Sequence, residues 1–144
     1  MRCLEPIVED DLLTSSNWQT APIIGVANVR QAAEYYRDVL GFTLDPVDGV
    51  FQPTGDEPGG VYAIVERNGM MIHFQIRRGE MPSRVRQGHE RDVYLYVNNL
   101  DALLADLVKR GANIFQPLRL APYGFREVVV EDLNGFRLAF GEAA

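Results

Sequence analysis

The chain of 144 residues has one cysteine, one tryptophan, no long apolar run and no block of basic residues. Each absence excludes something. Cys3 alone cannot form an internal disulfide, so nothing points to an oxidising compartment. No apolar stretch approaches the roughly 20 residues needed to span a bilayer. The first residues, Met1 to Pro6, lack the apolar core and small-residue cleavage site of a secretory signal. A cytoplasmic protein is expected, with no membrane partner. The formal charge is −6, and the longest like-charge run is Glu9-Asp10-Asp11. Nucleic-acid binding calls for basic patches and is not expected. The acidic balance suits a solubilising surface and is compatible with a cationic small ligand. There is no Gly-x-Ser-x-Gly elbow, phosphate-cradling glycine loop or His-Glu-x-x-His motif. Cys3 has no histidine beside it to make it a nucleophile, and no spacing of carboxylates singles out an acid–base pair.

What is present is an internal repeat. Apolar runs at Pro22 to Val26 and Val93 to Val97 read as buried strands. Asn28 and Asn99 follow as helix N-caps, and Gln31 completes a capping-box pattern after Asn28. Apolar residues then recur at helical spacing: Ala33, Tyr36 and Val39 or Leu40 in one copy, Leu100, Leu103, Leu104, Leu107 and Val108 in the other. Both helices stop at a glycine, Gly41 or Gly111, suited to a left-handed C′ position. Each copy continues with a third segment and then two β-rich segments joined through Asn-Gly, at Asn68-Gly69 and Asn134-Gly135, a strong hairpin signal.

Each half therefore reads strand, helix, strand, strand, strand. The fold class is α+β: two tandem βαβββ modules, over about 21–78 and 91–142, with helices outside and mixed sheets curving around a cleft. Together they form one domain spanning 21–144. Residues 1–20 form an amino-terminal arm, for which Trp18 is the expected anchor. Pro53 to Gly60 reads as a loop, and His89 lies in a polar connector.

Paired βαβββ units, with Tyr35-Tyr36-Arg37-Asp38-Val39-Leu40-Gly41-Phe42 ending the first helix, resemble the vicinal oxygen chelate superfamily, which includes glyoxalase I, extradiol dioxygenases and bleomycin-resistance proteins. Ile72-His73-Phe74, Pro122 to Glu127 and Asp132 to Gly141 resemble the bleomycin-resistance branch most. The resemblance implies a homodimer with grooves built from modules of two chains. It also implies that any metal ligands occupy the first and last strands of each module. The aligned positions are Ala21, His73, Asp92 and Ala139. Two alanines leave too few donors for a catalytic ion, which wants three or four, so no metal and no cofactor is expected.

Alternation along β-strands places Ile72 and Phe74 against the helix and His73 and Gln75 in the cleft. The expected ligand-binding residues are His73, Gln75, Phe51, Tyr62, Asp92, Tyr94, Tyr123, Arg126 and Glu127, with Tyr96 a further aromatic candidate. Tyr123 precedes a glycine where the resemblance implies a stacking aromatic; Arg126 and Glu127 would orient a ligand. The expected activity is metal-independent binding and sequestration of a small aromatic or amphipathic molecule. Two alternatives stay open: a divalent-metal lyase, isomerase or dioxygenase using displaced donors such as Gln75 or Glu127, and a partner-binding domain with a vestigial cleft.

Overall fold

The computed structural model describes residues 18–52, 59–79, 88 and 90–144, without the side chains of 45–48. The expectations for Cys3, the acidic run of the arm, most of the 53–60 loop and His89 lie outside the described residues. Trp18 is described and exposed.

After β1 (Ile23–Val26), the Asn28 side chain accepts a hydrogen bond from the Gln31 backbone N–H at 3.0 Å, claiming one orphan donor of helix α1 (Val29–Asp38). Gly41 stops the chain at φ +74°, a conformation glycine adopts without a Cβ clash. Three strands follow: β2 (Thr43–Phe51), β3 (Tyr62–Arg67) and β4 (Met70–Ile76). Asn68-Gly69 closes the β3–β4 hairpin as a two-residue loop, both residues having positive φ.

The second half runs β5 (Val93–Tyr96), α2 (Leu100–Lys109), β6 (Asn113–Leu120), β7 (Phe125–Glu131) and β8 (Arg137–Ala143). Two local readings change here, while the hairpin expected at Asn134-Gly135 forms between β7 and β8. Asn99 has φ +57° and makes no side-chain cap, so α2 lacks the cap that α1 has. Val108 is exposed; the face of α2 is anchored by Leu100 and Leu107. Asn134-Gly135 sits inside a five-residue connection ordered by Asp132, whose Oδ1 accepts from the N–H groups of Asn134 and Phe136.

The two sheets share one strand order, β1-β4-β3-β2 and β5-β8-β7-β6. In each, the first strand pairs parallel with the last, and the other pairs are antiparallel. Ile24, Val26, Ala63, Val65, Ile72 and Phe74 face α1 on the first sheet; Val93, Leu95, Val128, Val130, Leu138 and Phe140 are their counterparts on the second. These buried side chains form a single cluster with the helices, at about 1.5–3 kcal/mol for each large one removed from water.

The modules meet on this helix side. The fully buried Tyr36 packs its ring 4.8 Å from that of Phe74 and donates its hydroxyl to Asp132 Oδ2 at 2.7 Å, so α1 is tied to the β7–β8 connection. Arg67 pairs with Asp106 of α2 at 3.0 Å. Arg110, just beyond α2, donates to the carbonyls of Arg37 and Asp38. No helix among the described residues is long and apolar enough to cross a membrane.

Candidate functional site

Residues opposite one another in a ladder share a face. On the face of the first sheet away from α1, the register therefore aligns Phe51, Tyr62 and Gln75 on one rung, and Ile64, His73 and Ile23 on the next. The second sheet repeats the arrangement with different residues. Arg119, Glu127 and Gly141 form one rung, and Gln116, Val129, Ala139 and Tyr94 the next.

On the first sheet the Tyr62 hydroxyl lies 2.6 Å from His73 Nδ1, a hydrogen bond across β3 and β4. His73 Nε2 is buried without a hydrogen-bond partner. Gln75 is exposed, as are Phe51 and Ile23 at the sheet's margins.

The second sheet carries a charged network. Glu127 has no solvent exposure. Its Oε2 accepts the Tyr94 hydroxyl at 2.7 Å, the Tyr123 hydroxyl, and Arg91 Nη1 at 3.3 Å. Arg119 Nη2 stands 3.9 Å from Oε1. Burial alone would raise the Glu127 carboxyl, but the Tyr123 and Tyr94 hydroxyls and the Arg91 guanidinium outweigh it and hold the pKa below its ordinary value. Burial and the Glu127 carboxylate push the Tyr94 hydroxyl up, so it stays protonated as a donor. Tyr94 reaches Glu127 by lying across β8 at Gly141, where an added Cβ would overlap the phenol. Its ring begins a run of aromatic contacts: Tyr94–Tyr96 at 5.0 Å, Tyr96–Phe125 at 5.9 Å and Phe125–Tyr123 at 6.2 Å between centroids. Tyr96 is 75% exposed and Tyr123 60%.

The structure thus brings Tyr94, Tyr123 and Glu127 together on one sheet and Phe51, Tyr62, His73 and Gln75 on the other. Two expected residues stand apart. Arg126 follows the alternation to the helix side, where it pairs with Asp101 of α2 at 2.7 Å and with Glu142 at 3.7 Å. Adjacent strand residues cannot both face the cleft, so Arg126 does not orient a ligand beside Glu127. Asp92 precedes β5, and its carboxylate accepts the Arg137 backbone N–H at 2.8 Å, fastening the strand's start.

Arg91, Gln116, Arg119, Phe125 and Gly141 also belong to this face and are not among the residues expected from the sequence. Counting back from the Pro122-Tyr123-Gly124 turn would have placed Arg119 opposite Glu127. Gln116 was hidden by register shifts on both sides of it, next to Pro117 in an edge strand.

In the ladders His73 lies opposite Ile23 and Ala139 opposite Tyr94. Of the four aligned positions only His73 and Asp92 carry donors, and Asp92 Oδ2 already accepts the Arg137 backbone N–H, a poor fit to a catalytic divalent ion. Among the described residues no group of three or more His, Cys, Asp or Glu is arranged to hold a metal. A groove of about 580 Å³ opens between the β3–β4 hairpin and the start of α2, bordered by Asn68, Met70, Tyr96, Asn99 and Leu103.

The model of the glyoxalase/bleomycin resistance protein/dioxygenase superfamily matches residues 19–140. No curated protein matches the sequence. Among solved structures, TioX from Micromonospora sp. ML1 is similar at 21% identity, covering 89% of this chain and 100% of that one, with a TM-score of 0.67. A glyoxalase-related enzyme from Clostridium phytofermentans is similar at 16% identity, with 91% and 98% coverage and a TM-score of 0.68. A glyoxalase/bleomycin resistance protein from Catenulispora acidiphila is 22% identical over 87% of this chain and 97% of its own, at a TM-score of 0.59. At these identities the structures show the shared fold.

Proposed function

Since the chain belongs to the glyoxalase/bleomycin resistance protein/dioxygenase superfamily, we propose that it binds and sequesters a small aromatic or amphipathic molecule, in the cytoplasm and without a metal. The observation that carries this reading is the run of four aromatic rings on the second sheet, two of them mostly exposed. Exposed rings in continuous contact offer a stacking surface that a monomer seldom leaves uncovered. The binding unit is a homodimer. Because the modules of one chain meet on their helix side, the first sheet of a second chain supplies the wall facing Tyr96 and Tyr123. Phe51, Tyr62 and Gln75 would then line the opposite side of each groove. The donor set around His73 favours binding over metal-assisted catalysis.

Titration with anilinonaphthalene sulfonate, followed by its fluorescence, tests the reading. Saturable enhancement is expected in the native protein and should be lost when Tyr96→Ala and Phe125→Ala are combined. No enhancement, or enhancement the double variant leaves intact, would count against sequestration. Stoichiometric Mn, Fe, Co, Ni or Zn retained after dialysis, and lost in His73→Ala, would replace it with the metal-enzyme reading.

A further inference from the structure

Several polar atoms on the concave face of the second sheet are buried without hydrogen-bond partners: Glu127 Oε1, Arg119 Nε, and both Oε1 and Nε2 of Gln116. An unpartnered buried polar group costs about 1–3 kcal/mol, and more when charged, so a cluster of them on one face is an unusual thing for a fold to keep. The register makes them neighbours. Arg119 is directly opposite Glu127, and Gln116, opposite Val129, is Glu127's diagonal neighbour, a separation of about 7–8 Å that long side chains bridge.

Resting on the cleft reading above, we infer that this cluster is a recognition subsite for a neutral amide carried by the aromatic ligand. The chemistry of the open valences selects that group. Glu127 Oε1 is an acceptor needing a donor, and Arg119 Nε is a donor needing an acceptor; the Gln116 amide supplies one of each. An amide offers an N–H and a C=O side by side and meets both needs. A carboxylate has no proton to give Glu127, so it leaves Oε1 without a donor. An ammonium has no acceptor for Arg119, and it enters a cluster in which Arg91 and Arg119 against Glu127 leave one positive charge in excess. Tyr123 borders the subsite at Glu127. Its ring is solvent-exposed while its hydroxyl is held at Glu127, and it sits on the short β6–β7 connection. The aromatic part of the ligand stays on the Tyr96 and Phe125 rings.

Four probes sharing one ring system separate the contributions: naphthamide, naphthoate, naphthylmethylammonium and naphthalene, titrated into the full chain by quenching of intrinsic fluorescence. Naphthamide is expected to bind at least about tenfold tighter than the other three, the scale of one hydrogen bond to a charged group. Gln116→Leu is the principal variant, because it removes a neutral side chain and should fold. It should erase most of the naphthamide advantage and leave naphthalene binding unchanged; Glu127→Gln should weaken naphthamide in the same sense. If naphthamide and naphthalene bind alike and Gln116→Leu changes neither, the cluster is only hydrated and the amide subsite is refuted, while aromatic binding stands. If none of the four binds, both the subsite and the aromatic cleft are overturned.

Discussion

The two concave faces use the same strand order and differ at matching rungs. Where the first sheet has Tyr62 and Gln75, the second has Glu127 and Gly141; where the first has Ile23 and His73, the second has Tyr94 and Ala139. The first face carries a hydrogen bond between Tyr62 and His73. The second carries a buried carboxylate with two phenols and two guanidiniums around it. One exchange makes much of this difference. Without a side chain at Gly141, the Tyr94 ring can cross β8 to Glu127, and no comparable path exists on the first sheet, where Gln75 occupies that rung. Gly141 thus gives room for a network spanning three strands, which Tyr94 and Glu127 supply where the first sheet has Ile23 and Tyr62.

The largest effect should come from removing the carboxylate itself. Glu127→Ala leaves Arg91 without its partner in a poorly hydrated site and should destabilise the fold by about 3–5 kcal/mol. His73→Ala on the first sheet should cost about 1 kcal/mol, the worth of one net hydrogen bond. Urea midpoints of the two variants measure the contrast, and equal losses would mean that the second face is not the more committed one. A smaller difference is expected one rung away. Gly141→Ala forces the Tyr94 phenol aside and should cost about 1–3 kcal/mol, as overpacking does, whereas Gln75→Ala at the matching exposed position should stay within about 0.5 kcal/mol.

The finest test uses pH and a second buried carboxylate. Glu127 has its pKa held down, so the unfolded chain takes up its proton first. Its contribution is complete above the ordinary glutamate value of about 4.3 and is lost as pH falls through the lower folded value. Asp132 behaves oppositely. Burial raises it more than the Tyr36 hydroxyl and the Phe136 and Asn134 N–H groups lower it, and Asp92 adds to the rise. The folded state keeps that proton longer, so a cost enters as pH climbs from about 3.9 through the raised value. Glu127→Gln should flatten the loss of stability towards acid, and Asp132→Asn should remove the loss on the rising side. Stability curves that respond identically would show that the two sites are not of opposite sign.

The elements were legible because their signals are local. Asn28, Gly41, Gly111 and Asn68-Gly69 mark helix ends and a hairpin through backbone conformations few residues adopt, and the alternation in Ile72-His73-Phe74 assigned its faces correctly. The same alternation, applied to Arg126 and Glu127, would have sent one of them to the helix side. Register between parallel strands was harder to read. β1 and β4, like β5 and β8, are joined by long stretches of chain with no turn from which to count, so the pairing of His73 with Ile23 and of Ala139 with Tyr94 comes from the structure alone. Asn99 failed as a cap because its left-handed backbone leaves the side chain without a cap bond, which its identity alone does not reveal.

The bridge formed by Tyr94 bears on the order in which the second module assembles. β6, β7 and β8 follow one another through short connections and can zip as a meander, whereas β5 must return across α2 and two intervening strands to dock on β8. The network around Glu127 is therefore completed only when that late strand arrives, and it is the first to open if β5 detaches. Amide protons on the β5–β8 ladder should then exchange in step with exposure of Glu127, making this rung a natural reporter of partial unfolding in the intact chain.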